Sequence, residues 1–539
     1  MRSTRILTTG QMRKLEADWI KKCGHNWSQV LMEVAGRGTA QIALKMWEND
    51  PGEVVVICGR GNNGGDGMVI GRYLSLWGVP VSVWLVSKDD STEVDMSSGE
   101  SQANRTILES LGVEVTVSNE SPQQAMMEAT LIVDALFGTG LDRDLDGTFR
   151  TAVDAINRSG KSVISVDIPS GVNSDTGKVM GSAVRADHTV TFGYLKPGLL
   201  CHPGASLAGD LSVIDIGLPD ADEEEQPIIT LITSDYVRGL LPPRPTDSNK
   251  GTFGSVLTVA GSLGMSGATI LASQSALRVG AGLSLLATPK TLVLNLPPGE
   301  VIYHAIPETK DYSIGLEAIK EVEKLVERVT AVILGPGLST KDETVSFVHK
   351  FVKDCLVEND KPCIIDADAL NAIAKDTSVL PSSAEHIVLT PHPKELSRLL
   401  DCSVQEIQED RLKAASRAAE KFGCVVVLKG AHSIVAGPDG ELFINPTGNA
   451  GMATAGAGDV LSGIIGGLLA QGLKPIDAAT VGVYIHGASG DYAALELGET
   501  GLIAGDIMNA IPFAISNIEK GDSSELEQQL TGVMAADSG

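Results

Sequence analysis

Short apolar runs alternate with segments of helical periodicity along most of the chain. Apolar runs separated by helices are typical of strands in a parallel sheet that is covered on both faces. In the first half, we expect two helices near 9–23 and 27–48, followed by strands at 54–58, 81–86, 113–117, 131–136, 162–168, 189–193 and 211–217. This half therefore predicts an α/β domain built on a parallel sheet.

The pattern is interrupted at 219–248, where the chain is rich in acidic residues and proline, as is typical of a domain boundary. The alternation then restarts, with strands expected at 255–262, 283–288, 331–335, 363–369, 386–391 and 424–430, and it ends in helical segments. The sequence thus predicts two α/β domains, at 1–225 and 235–520. We expect residues 521–539 to form a disordered tail.

Charge and composition exclude several classes of function. The 539 residues carry a formal net charge of −26, which argues against a general nucleic-acid binder and against binding to an anionic membrane. Aromatic residues make up only 4%, too few for a platform on which single-stranded nucleic acid stacks. The 7 cysteines are scattered and form no C-x-x-C pair, as is typical of a reducing compartment. Without a signal-peptide pattern or an apolar run long enough to span a bilayer, we expect a soluble cytoplasmic protein.

The loop at 59–67 reads GRGNNGGDG and follows a predicted strand. Its glycines match the G-x-G-x-x-G pattern of dinucleotide-binding folds, which alone is a weak signal. A dehydrogenase of this kind also needs an acidic residue after the second strand to hold the ribose, and here Asp89 and Asp90 come late. The loop therefore disfavours a hydride-transfer cofactor.

Asn62, Asn63 and Asp66 distinguish this loop. The asparagines supply carbonyl oxygens, which suit a hydrated nicotinamide or a hard cation such as K⁺. A tight turn with Asp66 as a helix cap is the simpler alternative. Three other strand ends carry polar residues: Asp134 ends one predicted strand, Asp167 ends the next with Ser170 shortly after it, and the loop TFGYLKPG (191–198) follows the third. The carboxyl ends of parallel strands share one edge of a sheet, so we expect these side chains to converge there.

The segments LMEVAGR, GRGNNGGDG, VDALFGTGL and VDIPSGV resemble the NAD(P)H-hydrate epimerase domain, the YjeF N-terminal family, over about residues 5–218. The resemblance implies a Rossmann-like domain that interconverts the R and S hydrates of NADH or NADPH. It implies Asp167 as a substrate-binding residue, and we take Asp167 as the candidate acid/base. It implies K⁺ ligands at Asn63, Asp134 and Ser170. The hydrate-binding residues it implies are Asn62, Asn63, Gly64, Gly65, Asp66, Gly138, Thr139, Gly140, Leu141, Asp142, Arg143 and Asp144. Val34 departs from the family pattern, which has asparagine there.

The second domain contains the run TAGAGD, which ends at Asp459 and is followed at once by an apolar helix. Small residues leave the backbone N–H groups of 455–458 free at a helix N-terminus, which favours a nest for a phosphoryl group. Asp459 is placed to take a proton from a hydroxyl nucleophile. A helix merely capped by Asp459 would not require four small residues before it.

Other loops of this domain carry candidate groups. The backbone of KGAHS (429–433) is expected to line an adenine nucleotide, and LTPHPKE places His392 and Glu395 at the start of a helix. His392 as a structural residue and Glu395 as an ordinary N-terminal helix charge remain open. Asp366 and Asp368 are weak candidates for binding Mg²⁺ through water.

These motifs resemble the ribokinase-like superfamily and, more closely, the NAD(P)H-hydrate dehydratase domain over about residues 235–515. The resemblance implies that Gly337, His392 and Asp459 contact the hydrate, and we take Asp459 as catalytic. The residues it implies for the adenine nucleotide are Lys429, Gly430, Ala431, His432, Ser433, Asn449, Ala450, Gly451, Met452, Ala453, Thr454, Ala455, Gly456, Ala457 and Gly458. Asn249 and Lys394 depart from the family pattern, and neither is assigned to chemistry.

Together the two resemblances predict a fused nicotinamide-repair enzyme. It would epimerise R-hydrate and dehydrate S-hydrate at the expense of ADP, giving AMP and phosphate, with K⁺ in the first domain and Mg²⁺ in the second. Expected partners are NADH hydrate, NADPH hydrate and ADP, with no nucleic acid and no membrane, and we expect a homo-oligomer. Three alternatives stay open: a ribokinase-like small-alcohol kinase fused to a nucleotide-binding domain, a non-catalytic nucleotide sensor, and a dehydrogenase with bound NAD.

Overall fold

The computed structural model describes residues 4–24, 26–87, 95–119, 122–222, 225–357, 360–381 and 383–535, with side chains to residue 530. Asp89, Asp90 and residues 536–539 lie outside the described residues. The chain forms two compact units, Met1–Glu225 with Glu525–Gly539, and Gln226–Ser524. No helix in the described ranges is long and apolar enough to cross a membrane.

The first unit is a three-layer α/β fold. Its strands are β1 (Arg5–Ile6), β2 (Val54–Cys58), β3 (Val81–Val86), β4 (Val115–Ser118), β5 (Leu131–Ala135), β6 (Ser162–Val166), β7 (His188–Phe192) and β8 (Asp210–Ile214). Its helices are α1 (Thr9–Cys23), α2 (Asn26–Asn49), α3 (Asn62–Leu76), α4 (Gly99–Ser110), α5 (Gln123–Glu128), α6 (Gly147–Ser159) and α7 (Ala205–Ala208). These bounds lie close to the predicted ones because the strands are buried apolar runs.

The sheet of this unit has the order β4-β3-β2-β5-β6-β7-β8, and all its neighbours are parallel. The order reverses between β2 and β5. Such a switch point opens a crevice beyond the carboxyl ends of the strands. Asp134 on β5 lies in register with Ile57 on β2 and with Ser165 on β6, so it stands at this crevice.

The expectation of a disordered tail over 521–539 is wrong for its central part. A helix, α20 in chain order, spans Glu525–Ala535 and packs against β8 of the first unit. Leu530 is 4% exposed. The side chain of Gln529 donates to Asp210 at 3.0 Å and accepts from the backbone N–H of Leu211 at 3.4 Å. β8 is the last strand of the sheet, so these bonds satisfy polar groups along its open edge.

The second unit carries a larger mixed sheet. Its strands are β9 (Ile228–Leu231), β10 (Ser255–Val259), β11 (Leu283–Pro289), β12 (Ile302–Ile306), β13 (Ala331–Leu334), β14 (Cys363–Ile365), β15 (Ile387–Leu389), β16 (Val425–Leu428), β17 (Ile434–Ala436) and β18 (Glu441–Ile444). Their order is β9-β18-β17-β16-β15-β14-β13-β10-β11-β12. β16, β17 and β18 pair antiparallel, and the other neighbours are parallel.

The helices of this unit cover both faces of the sheet. They are α8 (Ser234–Leu240), α9 (Ser266–Arg278), α10 (Lys290–Val293), α11 (Ile319–Val326), α12 (Asp342–Phe351), α13 (Ala367–Ile373), α14 (Pro393–Leu400), α15 (Val404–Glu409), α16 (Arg411–Phe422), α17 (Ala457–Ala470), α18 (Pro475–Leu497) and α19 (Ala504–Lys520). Because β9 belongs to this unit, it begins earlier than the predicted 235.

Helix α17 lies at the centre of this unit, and its glycines allow it to do so. A Cβ on Gly463 would lie 2.3 Å from the backbone oxygen of Ala272 on α9. On the sheet side, a Cβ on Gly466 would lie 2.4 Å from Ile333 of β13. The sequence GDVLSGIIGGLLA therefore lets α17 approach both neighbours closely, which fixes its N-terminus beside the carboxyl ends of the central strands.

Candidate active sites of the two units

Asp134 and Ser170 are in direct contact at the crevice of the first unit. Asp134 is fully buried, and its Oδ1 accepts from Ser170 Oγ at 2.6 Å. Its Oδ2 accepts from the Ser170 backbone N–H at 2.9 Å and from Ser165 Oγ at 2.8 Å. Burial raises the pKa of Asp134, and the hydrogen bonds from the two serines oppose that shift. The carboxylate therefore ties the ends of β5 and β6 together.

Asn63, Gly138 and Asp167 meet on the neighbouring side of the crevice. A Cβ on Gly138 would lie 2.9 Å from Asn63 Oδ1 and 3.3 Å from Asp167 Oδ2. Asn63 is 7% exposed, and its buried Nδ2 finds no hydrogen-bond partner in the described part of the chain. A buried amide group without a partner is rare in a folded protein, and this one lies beside Gly138 at the carboxyl ends of the strands. These three residues form the floor of a site that suits a polar ligand.

Asp167 has an unusual backbone and a buried counter-ion. Its φ is 66°, a left-handed conformation that is uncommon outside glycine and that concentrates at functional sites. Its Oδ1 accepts from Lys196 Nζ at 2.6 Å and from Thr191 Oγ1 at 3.0 Å. Lys196 is only 1% exposed. The end of β6 thus presents a carboxylate whose Oδ1 is anchored by Lys196 and Thr191.

Two further carboxyl groups surround this ion pair. Asp66 on α3 is buried, which raises its pKa well above the usual range, and the charges of Asp167 and Glu16 raise it further. Burial also raises the pKa of Glu16 on α1, against the effect of Lys196. The site therefore combines groups that favour the protonated state with an ion-paired Asp167, which is the arrangement that acid/base chemistry requires.

The glycines of the loop before α3 are required by close backbone approach. A Cβ on Gly59 would lie 2.1 Å from the backbone oxygen of Leu136, and one on Gly64 would lie 1.8 Å from the backbone oxygen of Gly59. α3 begins at Asn62, and no side chain caps it. Asp66 is therefore not its N-cap, and the simpler alternative for that residue is wrong. The first amide groups of α3 remain available to an anion.

The remaining predicted residues of the first unit lie around the crevice entrance. Gly65 is buried, and a Cβ there would meet Ser101 Oγ at 2.4 Å, so Gly65 serves packing. Asn62 is exposed. Arg13 of α1 donates to the backbone oxygen of Thr139 at 3.3 Å. The segment 139–144 is otherwise largely open to solvent: Gly140, Asp142, Arg143 and Asp144 are exposed, and Leu141 is partly exposed.

The donors at this crevice are chemically suited to a hard monovalent cation. Asn63 and Ser170 offer neutral oxygens, and Asp134 offers a buried carboxylate. In the present arrangement four hydrogen bonds occupy Asp134, including one from the backbone of Leu136. A bound cation would take over lone pairs that Ser170 now uses. No group of three or more His, Cys, Asp or Glu side chains with metal-ligand geometry occurs among the described residues.

In the second unit, the N-terminus of α17 is open. Its N-cap is Gly456, with φ 93°, and no side chain caps the helix. The N–H of Ala457 makes one long bond, 3.4 Å, to the backbone oxygen of Thr454. Ala455 is exposed. Uncapped amide groups at the start of an apolar helix are suited to bind an anion, and the predicted anion site lies here.

Lys429 connects this helix to the neighbouring strand ends. Its Nζ donates to Asp366 at 2.7 Å and lies 3.9 Å from Glu395 Oε2. Ser462 of α17 donates to the other oxygen of Asp366 at 2.6 Å. A Cβ on Gly458 would lie 3.5 Å from Lys429 Nζ. The ammonium group therefore stands directly beside the anion site.

This network adds to two expectations. The backbone of Lys429 was expected to line the adenine nucleotide, and its side chain also brings an ammonium group to Asp366. Asp366, a candidate for Mg²⁺ through water, is 1% exposed and accepts a hydrogen bond on each oxygen. Asp368 accepts from the backbone N–H of Ser339 at 2.8 Å. Binding of Mg²⁺ through water at these aspartates stays a prediction.

Asp459 and Glu395 have strongly shifted acidities. Burial, and then the charge of Asp366, raises the pKa of Asp459 to about 7, against the opposing effect of Lys429. Burial raises the pKa of Glu395 to about 7 as well. A carboxyl group poised near neutrality is suited to accept and return a proton. Asp459 lies in the first turn of α17, so the predicted base and the predicted phosphoryl site are adjacent.

His392 and Gly337 lie on loops at the same sheet edge. His392 is the N-cap of α14, and its Nδ1 accepts from the backbone N–H groups of Lys394 and Glu395, both at 3.1 Å. Burial, together with the charge of Lys429, lowers the pKa of His392. The neutral ring therefore carries its proton on Nε2. Gly337, with φ 62°, accepts from Ser262 Oγ at 2.8 Å through its backbone oxygen.

The two predicted nucleotide loops are anchored differently. The loop 429–433 is anchored at its start by Arg411 of α16, which is 7% exposed and donates to the backbone oxygens of residues 428 and 429. Ala431 in the loop is exposed. His432 has φ 49°, and Ser433 Oγ donates to the backbone oxygen of Gly430 at 3.0 Å. In the second loop, Asn449 caps the short 3₁₀ turn Ala450–Met452 and donates to Asp491 of α18 at 2.9 Å. Ala453 is exposed.

Comparisons with known proteins match both units. The family profile described as NAD(P)H-hydrate dehydratase matches residues 256–512, and that of the YjeF-related protein N-terminus matches residues 28–198. The bifunctional NAD(P)H-hydrate repair enzyme Nnr of Moorella thermoacetica is 40% identical over 503 residues, covering 92% of this chain and 93% of the relative. That of Thermofilum pendens is 41% identical over 536 residues, covering 98% and 100%. The chain belongs to the family of bifunctional NAD(P)H-hydrate repair enzymes.

A solved structure is also similar to the second unit. It is the ADP/ATP-dependent NAD(P)H-hydrate dehydratase from Bacillus subtilis, co-crystallized with ATP/Mg²⁺, which is 33% identical. The match covers 54% of this chain and 98% of that chain, with a TM-score of 0.47.

The sequence did not single out several residues that lie at the two candidate sites. Lys196 and Thr191 lie in TFGYLKPG, which we noted only as a loop after a strand. A lysine inside an otherwise apolar segment was the available signal, since lysine is rarely buried without a partner. Glu16 and Ser462 each lie within helices and carried no comparable signal.

Proposed function

We propose that the first unit epimerises the R-hydrate of NADH or NADPH to the S form, and that the second unit dehydrates the S-hydrate with ADP as phosphoryl donor. Family membership supports this pairing over a small-alcohol kinase fused to a nucleotide-binding domain. The observation that carries the dehydration is the uncapped N-terminus of α17, with Asp459 and Lys429 beside it.

In the second unit, Asp459 removes the proton from the ring hydroxyl of the hydrate. The hydroxyl oxygen attacks the terminal phosphorus of ADP at the amide groups of α17, and AMP leaves. The ring nitrogen then expels phosphate from C6 to give an iminium, and the departing phosphate takes a proton from C5, which restores the C5=C6 double bond of the dihydronicotinamide ring. Lys429 neutralises the charge on the moving phosphoryl group. Mg²⁺, when bound with the nucleotide, would shield the phosphate charge.

In the first unit, Asn63, Gly138 and Asp167 form the floor of the hydrate site, and the segment 139–144 closes over it. Asp167 exchanges a proton with the C6 hydroxyl of the hydrated ring. Asn63, Asp134 and Ser170 would hold K⁺, whose positive charge stabilises this end of the crevice. We further propose a cytoplasmic homo-oligomer that acts on small molecules, without nucleic acid or membrane partners.

The test for the second unit is Asp459→Asn, assayed with S-NADH hydrate and ADP through the absorbance of NADH. We expect a loss of at least about 10²-fold in rate, the lower range for a general base. Asp439→Asn is the matched control, because it makes the same exchange at an exposed aspartate of the same unit that has no assigned role. A wild-type rate in Asp459→Asn would exclude Asp459 as the base.

A further inference from the structure

Lys196 is a buried lysine whose donors are all used. It follows β7 and is 1% exposed. Its Nζ donates to Asp167 Oδ1 at 2.6 Å, to Thr191 Oγ1 at 2.8 Å and to the backbone oxygen of Phe192 at 2.9 Å. An ammonium group carries three N–H donors, so each has an acceptor. Burial of a charged lysine is costly, and packing alone does not require it, because an apolar side chain of similar length would fill the space.

The contacts of Lys196 act on one oxygen of Asp167. Thr191 Oγ1 accepts from Lys196 and donates to Asp167 Oδ1 at 3.0 Å, so both donors meet at the same oxygen. Oδ2 lies on the other side, where it is the Asp167 oxygen nearest the Cβ position of Gly138, at 3.3 Å. The two oxygens of the carboxylate therefore have separate roles: Oδ1 is anchored, and Oδ2 faces the predicted hydrate site.

The backbone reinforces this orientation. Asp167 is in a left-handed conformation, and its N–H donates to the backbone oxygen of Val190 at 2.7 Å. The charged groups that face the pair from other elements are Glu16 on α1 and Asp66 on α3. Lys196 is thus the cation that compensates Asp167 in a cluster that is otherwise acidic.

We propose that Lys196 is a positioning residue for the epimerisation, which anchors Oδ1 of Asp167 and thereby directs Oδ2 at the hydrate. The inference rests on the proposed role of Asp167. It makes no demand on Lys196 as a proton donor, since its three protons are engaged. It predicts that removing the ammonium group lowers turnover far more than it weakens hydrate binding.

The experiment uses Lys196→Met in the full chain, because methionine has a similar length and no charge. R-hydrate is converted without ADP, so that the dehydratase unit consumes none of the product, and the two hydrates are separated chromatographically. We expect kcat to fall about 10²-fold, the effect of misplacing a reacting group by about 1 Å, with KM changed less than about threefold. Thr191→Val should lower kcat less than Lys196→Met does, because Lys196 still anchors Oδ1. Lys45→Met, at an exposed lysine, is the matched control and should keep the wild-type rate.

Two further measurements separate positioning from a structural role. Methylammonium added to Lys196→Ala should restore part of kcat, and it should not restore Asp167→Asn. The rate of S-hydrate dehydration with ADP should be unchanged in every variant, which shows that the substitutions do not affect the second unit. Loss of hydrate binding in Lys196→Met, without rescue of Lys196→Ala by methylammonium, would show that Lys196 is structural and would overturn the inference.

The inference and the proposed function fail in different ways. If Asp167→Asn is inactive while Lys196→Met keeps the wild-type kcat, the inference is wrong and the role of Asp167 stands. If Asp167→Asn itself keeps the wild-type kcat, the role of Asp167 is wrong.

Discussion

The two proposed catalytic aspartates are prepared for proton transfer in different ways. Asp167 is paired with a buried lysine, and its left-handed backbone turns the carboxylate towards Gly138. Asp459 has no such direct partner among the side chains that the structure describes, and its pKa is raised by burial and by the charge of Asp366. A buried carboxyl group with a pKa near neutrality should make the dehydration sensitive to pH in that range.

Dehydration should depend on pH with an acid limb near 7. Asp459 accepts a proton only when ionised, and its pKa is raised to about 7. Below that value kcat/KM should fall about tenfold per pH unit, and above it the rate should level off. The measurement is kcat/KM for S-hydrate with saturating ADP, over a range from about pH 5 to about pH 9.

Glu395 provides the control for this assignment, because burial raises its pKa to about 7 too. Glu395→Gln should keep the acid limb even if the rate falls. Disappearance of the limb in Glu395→Gln would assign it to Glu395 and contradict the role of Asp459.

At the level of elements, both sites depend on helices that begin without a side-chain cap, α3 and α17. Each follows a glycine-containing loop, and each leaves its first amide groups to a ligand. For α17, Gly456 has φ 93° and packs tightly, since a Cβ would lie 2.6 Å from Leu271 Cδ1. A side chain at this position should therefore distort the anion site itself.

Gly456→Ala should abolish ADP binding, and Gly472→Ala is its matched control. Gly472 has φ 94° at the other end of the same helix, and a Cβ there meets nothing within 4 Å. Both variants carry the cost of a left-handed alanine, about 1–2 kcal/mol, but only Gly456→Ala disturbs the amide groups that face the phosphate. Calorimetric titration with ADP checks this. Equal loss of binding in both variants would show that helix stability, rather than the anion site, is responsible.

The elements show where the sequence was informative. β2, β3 and the N-terminus of α17 were predicted because long apolar runs and small residues constrain local structure directly. β17 and β18 were missed because they are short, although the PDG turn between them was a hairpin signal. The contacts of Lys196 and Lys429 were not predictable, because each joins strand ends that are distant in sequence and only the sheet order brings them together.

Helix α20 should stabilise the first unit, although it follows the second unit in the chain. Removing residues 525–539 exposes the apolar surface around Leu530 and leaves the edge groups of Asp210 and Leu211 without Gln529. We expect epimerase activity to be lost at a lower temperature, with dehydratase activity lost at the wild-type temperature. Gln529→Ala should lower the inactivation temperature of the epimerase less, because it removes about 1 kcal/mol from the free energy of unfolding. Equal heat sensitivity of both activities in the truncated chain would contradict this assignment.

The whole molecule joins two reactions whose product and substrate are the same compound, and this predicts how damaged cofactor is recovered. With mixed R- and S-NADH hydrate and excess ADP, the wild-type chain should recover all NADH. Asp167→Asn should recover only the S share in the initial phase, because its dehydratase unit cannot use the R form, and Asp459→Asn should recover none.

An equimolar mixture of the two variants should again recover all NADH if S-hydrate diffuses between chains. A plateau at the S share would show instead that the hydrate must pass within one chain. Recovery of both hydrates by Asp167→Asn alone, at the wild-type rate, would contradict the assignment of epimerisation to Asp167 in the first unit. The readout in every case is the absorbance of NADH at the plateau of the initial phase, so the comparison depends on the extent of recovery and not on the relative speed of the two units.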